Sequence, residues 1–171
     1  MYKKFCTILL CIICVIALCS CGGVFAPSAT PVPRLSPSDI MSVDEAAEFT
    51  GCAMLQDGDI TEQDGKKTVV YVSNPKGDSD SVTVEITQCG DNLSIDEVWN
   101  RYDSARLKRP SAKTAEGIGS DAYVAFPYIH IYDRGCEITI AAGSGSDDGQ
   151  EALLKRMGER AVNNLRKYIS E

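Results

Sequence analysis

The sequence contains one imidazole, that of His130, and therefore one candidate for the general base that many hydrolases use. Serine or cysteine hydrolysis requires a nucleophile beside such a base and an acid that orients it. No G-x-S-x-G nucleophile elbow occurs in the chain, and among its 24 Asp and Glu residues nothing singles out a pair for glycoside hydrolysis. The sequence therefore predicts no catalytic residue and no cofactor.

His130 lies in a short segment that alternates polar aromatic residues with isoleucine. A period of two places Tyr128, His130 and Tyr132 on one face of a strand, and Ile129 and Ile131 on the other. If the isoleucines meet the helices, the Tyr-His-Tyr face is turned outward, where aromatic side chains with polar tips suit a peptide, protein or glycan ligand. The alternative is a half-exposed strand face with no ligand.

The chain has eight cysteines, which separate by region. Four precede residue 20 and fall in the N-terminal apolar segment: Cys6, Cys11, Cys14 and Cys19. Cys21 directly follows that segment. Cys52, Cys89 and Cys136 fall in the predicted domain, and this odd number leaves two alternatives, one disulfide with one thiol or three buried thiols. Their spacing matches no zinc pattern, so we predict no metal site.

The first 20 residues have the pattern of a secretory signal. Lys3 and Lys4 form a positive start, and the run from Phe5 to Leu18 carries no charge. This run is shorter than the roughly 20 residues that a membrane-spanning helix needs. We therefore predict a signal peptide over residues 1–20.

The end of this segment and the residue after it, Leu18-Cys19-Ser20-Cys21, resemble the lipobox of bacterial lipoproteins. The resemblance implies that the Cys21 thiol carries diacylglycerol, that the chain is cut before Cys21, and that the new amino group can be acylated. Cys19 departs from the Ala, Ser, Thr or Val that is usual at its position, although it is small enough not to obstruct cleavage. The alternative is ordinary signal-peptidase cleavage, which gives a free secreted protein. We predict a lipid-anchored protein on the extracytoplasmic face of the cell membrane.

Beyond the anchor, residues 21–40 are rich in Pro and Ser, and we predict a linker that holds one domain, residues 41–171, off the membrane. The net charge is −7, and it becomes more negative when Lys3 and Lys4 leave with the signal. An acidic domain excludes binding to a nucleic-acid backbone, which needs clustered basic residues. The membrane partner is therefore held through the lipid.

Within the domain, two capping-box patterns start at Ser42 and Ser94 and predict helices over residues 43–50 and 95–107. A third, amphipathic helix is predicted over residues 151–169. Apolar or alternating runs predict strands at 52–56, 67–73, 81–88, 123–126, 128–132 and 136–142. These elements indicate an α+β fold, a mainly antiparallel sheet of five to six strands with helices packed on it. Trp99 is predicted to anchor the core.

The segment Gly117-Ile118-Gly119-Ser120-Asp121-Ala122-Tyr123, followed by a hairpin and a closing helix, resembles a motif of small uncharacterised lipoproteins of Gram-positive bacteria. The resemblance implies a PsbP-like fold and no known activity. A phosphate site at the glycines is disfavoured, because a strand follows them and Asp121 would repel an anion. We predict instead that Gly117 and Gly119 adopt positive φ in a turn.

Together these patterns predict a membrane-anchored, non-catalytic binding or envelope-interaction module. One alternative is an enzyme that acts on envelope polymers through carboxylates near His130. Another is an anchored chaperone for secreted proteins, which requires a large exposed apolar patch.

Overall fold

The computed structural model describes residues 33–74, 80–90, 92–143 and 147–170. The predicted signal peptide, Cys21 and most of the predicted linker lie outside these residues. The described helices are α1 Pro37–Ile40, α2 Val43–Thr50, α3 Ile95–Leu107 and α4 Asp148–Ile169. The described strands are β1 Leu55–Gln56, β2 Thr61–Gln63, β3 Lys66–Val72, β4 Ser81–Gln88, β5 Lys113–Thr114, β6 Asp121–Ala125, β7 Tyr128–Asp133 and β8 Cys136–Ala142.

The strands form one antiparallel sheet in the order β1-β3-β4-β8-β7-β6-β5, and β2 also pairs with β3. The predicted α+β class with a mainly antiparallel sheet is confirmed. The described sheet has eight strands rather than five to six. The extra strands, β2 and β5, are only three and two residues long, too short to show any periodicity.

One face of the sheet forms the hydrophobic core. Along β4, Val82, Val84 and Ile86 are at most 2 % exposed, as the alternating pattern predicts. The apolar face of α4 covers this side of the sheet. At Gly158 the helix lies so close to the sheet that a Cβ on this residue would be 2.8 Å from Ile129 Cδ1. Helices α1 and α2 lie against α4 on the same side of the sheet. Their links to α4 include a hydrogen bond from Asn164 Nδ2 to the Ile40 carbonyl (3.0 Å) and an ion pair between Arg160 and Glu45 (3.1 Å).

The folded domain begins before residue 41, which corrects the predicted linker boundary. Leu35, Ile40 and Met41 are at most 1 % exposed, and the hydroxyl of Tyr71 donates to the Met41 carbonyl at 2.8 Å. The proline pattern suggested an extended chain, but Pro37 instead occupies the first turn of α1, where its missing N–H costs nothing. Three apolar residues are too few for the sequence to distinguish a core segment from a linker.

Both predicted capping boxes are present. Ser42 and Ser94 each accept a hydrogen bond from the backbone N–H three residues on, and the glutamate at that position reaches back to the cap. Gly51 ends α2 in the left-handed conformation. Helix α4 begins at Asp148, three residues earlier than predicted, and the Asp147 side chain caps it.

The predicted core role of Trp99 is wrong. In α3, Val98 and Tyr102 are fully buried, whereas Trp99 is 38 % exposed and Ile95 is 57 % exposed. The helix places only a narrow stripe against the sheet, and Trp99 lies at the border of that stripe. An apolar period of 3.6 identifies the face of a helix that packs, but not where that face ends.

The predicted turn at Gly117 and Gly119 is confirmed, with φ of +81° and +64°. An alanine Cβ at Gly119 would lie 2.9 Å from the Tyr132 carbonyl oxygen, whereas nothing lies within 4 Å of one at Gly117. We expect Gly119→Ala to lower the free energy of unfolding by about 2 kcal/mol or more, and Gly117→Ala by about 1 kcal/mol, since only the first adds a clash to the conformational cost. Urea denaturation of both variants checks this, and equal losses would contradict the clash.

Candidate functional site

The second face of the sheet carries the polar residues that alternate with the core positions. The strand registers place these side chains in two rows across neighbouring strands. One row contains Lys66, Thr87, Glu137 and Tyr132. The next row contains Thr68, Glu85, Thr139, His130 and Tyr123. The pleat of five strands therefore gathers acids, bases and hydroxyls on one surface.

Helix α3 covers part of this polar face through aromatic contacts. Tyr102 lies 5.4 Å from Tyr123 and 5.8 Å from Tyr132, measured between ring centroids, and Trp99 contacts the edge of Tyr132 at 4.9 Å. Tyr123 in turn stacks on His130 at 4.7 Å. These rings hold α3 above one end of the rows and leave the other end open.

A cleft of about 410 Å³ lies where the helix and the sheet separate. The sheet contributes its floor: Lys66, Glu85, Thr87, His130, Glu137 and Thr139. Helix α3 contributes Arg101, Ala105 and Arg109, and the end of β2 contributes Gln63 and Asp64. This volume lies within the range of roughly 300–1,000 Å³ that small-molecule sites occupy.

His130 lies at the inner end of the cleft and is only 5 % exposed. Its Nδ1 shares a hydrogen bond of 3.0 Å with Thr139 Oγ1, while its Nε2 is buried and has no hydrogen-bond partner among the described residues. Burial and the nearby Arg109 cation lower the pKa of His130 to about 4. The imidazole is therefore neutral at pH 7.

The charged groups of the cleft are only partly paired. Lys66 and Glu85 form an ion pair of 2.9 Å. Arg101 donates to the Asp64 carbonyl at 2.8 Å, and Arg109 donates to the Ala105 carbonyl at 3.0 Å.

Glu137 makes neither a hydrogen bond nor an ion pair within the described parts of the chain, so its carboxylate is unpaired. Burial raises the pKa of this carboxyl, and the charge of Glu85 raises it further, against the opposing effect of Lys66, Arg101 and Arg109.

This arrangement does not favour nucleophilic catalysis. The Thr139 hydroxyl lies beside the imidazole, but no described carboxylate accepts a hydrogen bond from His130 to orient it. A histidine with a pKa of about 4 is a weak base at neutral pH. The geometry suits recognition of a polar ligand better than proton transfer.

The structure places the predicted face of Tyr128, His130 and Tyr132 on one side of β7, as the alternation predicts. The expected outward exposure is wrong for His130, because α3 packs over this face, while Tyr128 stays 39 % exposed. The sequence did not single out Glu137, Arg101 or Arg109. Only the position of α3 over the sheet brings Arg109 into the cleft.

The cysteines of the domain are thiols. This agrees with the alternative that has no disulfide, but only Cys89 and Cys136 are buried as that alternative predicted, whereas Cys52 is partly exposed. Among the described residues, no group of three or more potential ligands could hold a metal ion. Within the same part of the chain, no helix is both long and apolar enough to cross a bilayer.

Comparison of the chain with protein-family models, curated proteins and solved structures gave no match. The resemblance to small lipoproteins and the PsbP-like fold therefore stay predictions.

Proposed function

We propose that this protein is a lipid-anchored extracytoplasmic lipoprotein whose domain binds a small polar ligand in the cleft beneath α3 and does not catalyse a reaction. The observation that carries the binding role is the buried His130 Nε2, which has no partner among the described residues, in a residue that lines the same cleft as the half-buried, unpaired Glu137 carboxylate. Buried polar groups without partners are costly to a fold, and a ligand that supplies the partners offsets that cost.

The anchoring role is supported by Leu18-Cys19-Ser20-Cys21 after an uncharged run. The domain itself is acidic, so it would be repelled by an anionic membrane surface, and a covalent lipid is the simplest tether. Two acyl chains on Cys21 would hold the protein firmly, because each buried methylene adds about 0.8 kcal/mol.

Replacing Cys21 by Ala is expected to leave an unprocessed precursor, since the lipidated thiol is what the processing step recognises in lipoproteins. Cell fractionation and mass spectrometry of the N-terminal peptide measure the result. Cys19→Ala is the matched control and should keep the acyl groups. A normally cleaved Cys21→Ala protein in the culture medium would contradict the anchor.

The binding role is tested separately by thermal shift with a panel of small polar compounds. The control is Ala105→Trp, which fills the cleft from α3 without removing a charge. At least one compound should raise the melting temperature of the native chain and not that of the variant. A panel that stabilises neither protein, or both equally, would contradict a ligand in the cleft.

A further inference from the structure

The chemistry of the cleft indicates what kind of ligand fits. Its lining holds three cations, Lys66, Arg101 and Arg109, and three carboxylates, Asp64, Glu85 and Glu137. A ligand with a single sign of charge would meet as much repulsion as attraction here. A neutral molecule that carries both charges meets a complementary partner at each end.

The two ends of such a ligand can be placed from the contacts. Lys66 and Glu85 satisfy each other at 2.9 Å, which leaves the half-buried Glu137 as the unpaired carboxylate on the floor of the cleft and the natural partner of an ammonium group. Arg109 has one nitrogen, Nη1, engaged with the Ala105 carbonyl and, at 3.5 Å, with the Tyr123 hydroxyl. A guanidinium has five N–H donors, so donors remain for a carboxylate.

His130 completes the carboxylate end. The Tyr123 ring, which stacks on His130, also brings its hydroxyl to Arg109, so the imidazole and the guanidinium share one end of the cleft. When Thr139 donates its hydrogen to Nδ1, the partnerless Nε2 carries an N–H and can donate beside Arg109.

The strand register sets the distance between the two ends. Thr139 pairs with His130 and Glu137 pairs with Tyr132, so His130 and Glu137 are diagonal neighbours on β7 and β8. The Cα atoms of such neighbours lie about 7–8 Å apart, which exceeds the spacing of the charges in one amino acid and is close to that of a dipeptide laid across the two side chains.

The lining also argues against a sugar. Among the described residues of the cleft there is no Tyr, Trp or Phe to form a stacking platform, and Ala105 is its one apolar side chain. A ligand with small side chains and charged ends fits better than one that presents a flat apolar face.

We propose that the cleft binds a dipeptide-sized zwitterion, with its ammonium group at Glu137 and its carboxylate between Arg109 and His130. This inference rests on the proposed binding function and names the ligand class of the same site.

The test uses the full chain in detergent and isothermal titration calorimetry at pH 7. The probes are L-alanyl-L-alanine, its N-acetyl form, its C-terminal amide and free L-alanine. The unblocked dipeptide should bind, and blocking either end should weaken binding at least about tenfold, because a charged group of the cleft then loses its partner. Free alanine should also bind at least about tenfold more weakly, since it cannot span both ends.

Variants assign the two ends. Glu137→Gln should weaken binding of the unblocked dipeptide and leave the already weak binding of the N-acetyl form unchanged. Arg109→Gln should also weaken binding of the unblocked dipeptide, and it should leave the already weak binding of the C-terminal amide unchanged. Glu137→Gln should also keep or raise the melting temperature, because it removes an unpaired, half-buried charge, and a damaged fold would not combine weaker binding with unchanged stability. The controls are Glu159→Gln and Lys167→Gln, which lie exposed on α4, across the sheet from the cleft, and should bind like the native chain.

Equal affinity for blocked and unblocked dipeptides, or alanine binding as tightly as the dipeptide, would overturn the inference. If no zwitterion binds, but another compound of the panel stabilises the native chain and not the Ala105→Trp variant, the ligand class is wrong and the binding function stands. If no compound of any class binds, both proposals fall.

Discussion

Replacing Tyr102 by Ala is expected to lower the free energy of unfolding by about 3 to 5 kcal/mol, the range for large aromatic truncations in a core. Tyr102 is fully buried, and its ring lies between Trp99 at 5.6 Å and Tyr123 at 5.4 Å. Its removal leaves a cavity at the contact that holds α3 on the sheet. Urea or guanidinium denaturation of the purified chain measures the loss.

Two variants serve as controls for this result. The Tyr102 hydroxyl is buried without a hydrogen-bond partner among the described residues, so Tyr102→Phe should change stability by less than about 1 kcal/mol. Trp99→Ala should cost only about 1 to 2 kcal/mol, because Trp99 already exposes 38 % of its surface. A loss at Trp99 equal to that at Tyr102 would restore the core role that the sequence predicted for Trp99.

Acidification is expected to remove about 3 kcal/mol of stability through His130 alone. Its pKa falls from the usual 6.5 to about 4 in the folded chain, because the ring is buried and Arg109 is near. Between these two pH values, the imidazole of His130 is therefore protonated in the unfolded chain and neutral in the folded chain. The contribution of His130 to the free energy of unfolding is complete above pH 6.5 and is lost as the pH falls toward 4.

Denaturation curves at several pH values give the free energy of unfolding as a function of pH. Its fall between pH 6.5 and 4 should be smaller in His130→Gln than in the native chain, because the variant lacks the imidazole. Glu137 acts in the opposite direction, since a carboxyl whose pKa is raised by folding gains its proton first in the folded chain. The native chain and the variant share Glu137, Glu85 and Arg109, so their difference isolates the imidazole. An identical pH dependence in both proteins would show that His130 is accessible to protons in the fold.

The sequence was sufficient where the signal is local. The capping boxes at Ser42 and Ser94, the positive φ of Gly119 and the alternation along β4 all depend on residues within a few positions of each other. Each is set by backbone hydrogen bonding or by side-chain period, so the helices, the main strands and the α+β class followed from the chain itself.

The site depended on distant contacts that no local pattern carries. The alternation showed that Tyr128, His130 and Tyr132 share a face, but only the packing of α3 through Tyr102 decided that this face is covered and that His130 is buried. The unpaired state of Glu137 likewise depends on which charged side chains β3, β4 and α3 bring within reach. By itself, the sequence determined the class of the fold, its helix caps and the alternation of its strands, and it predicts the anchor at Cys21. The tertiary structure decided which polar groups meet in one cleft, because their proximity is set by strand register and helix docking across residues far apart in the chain.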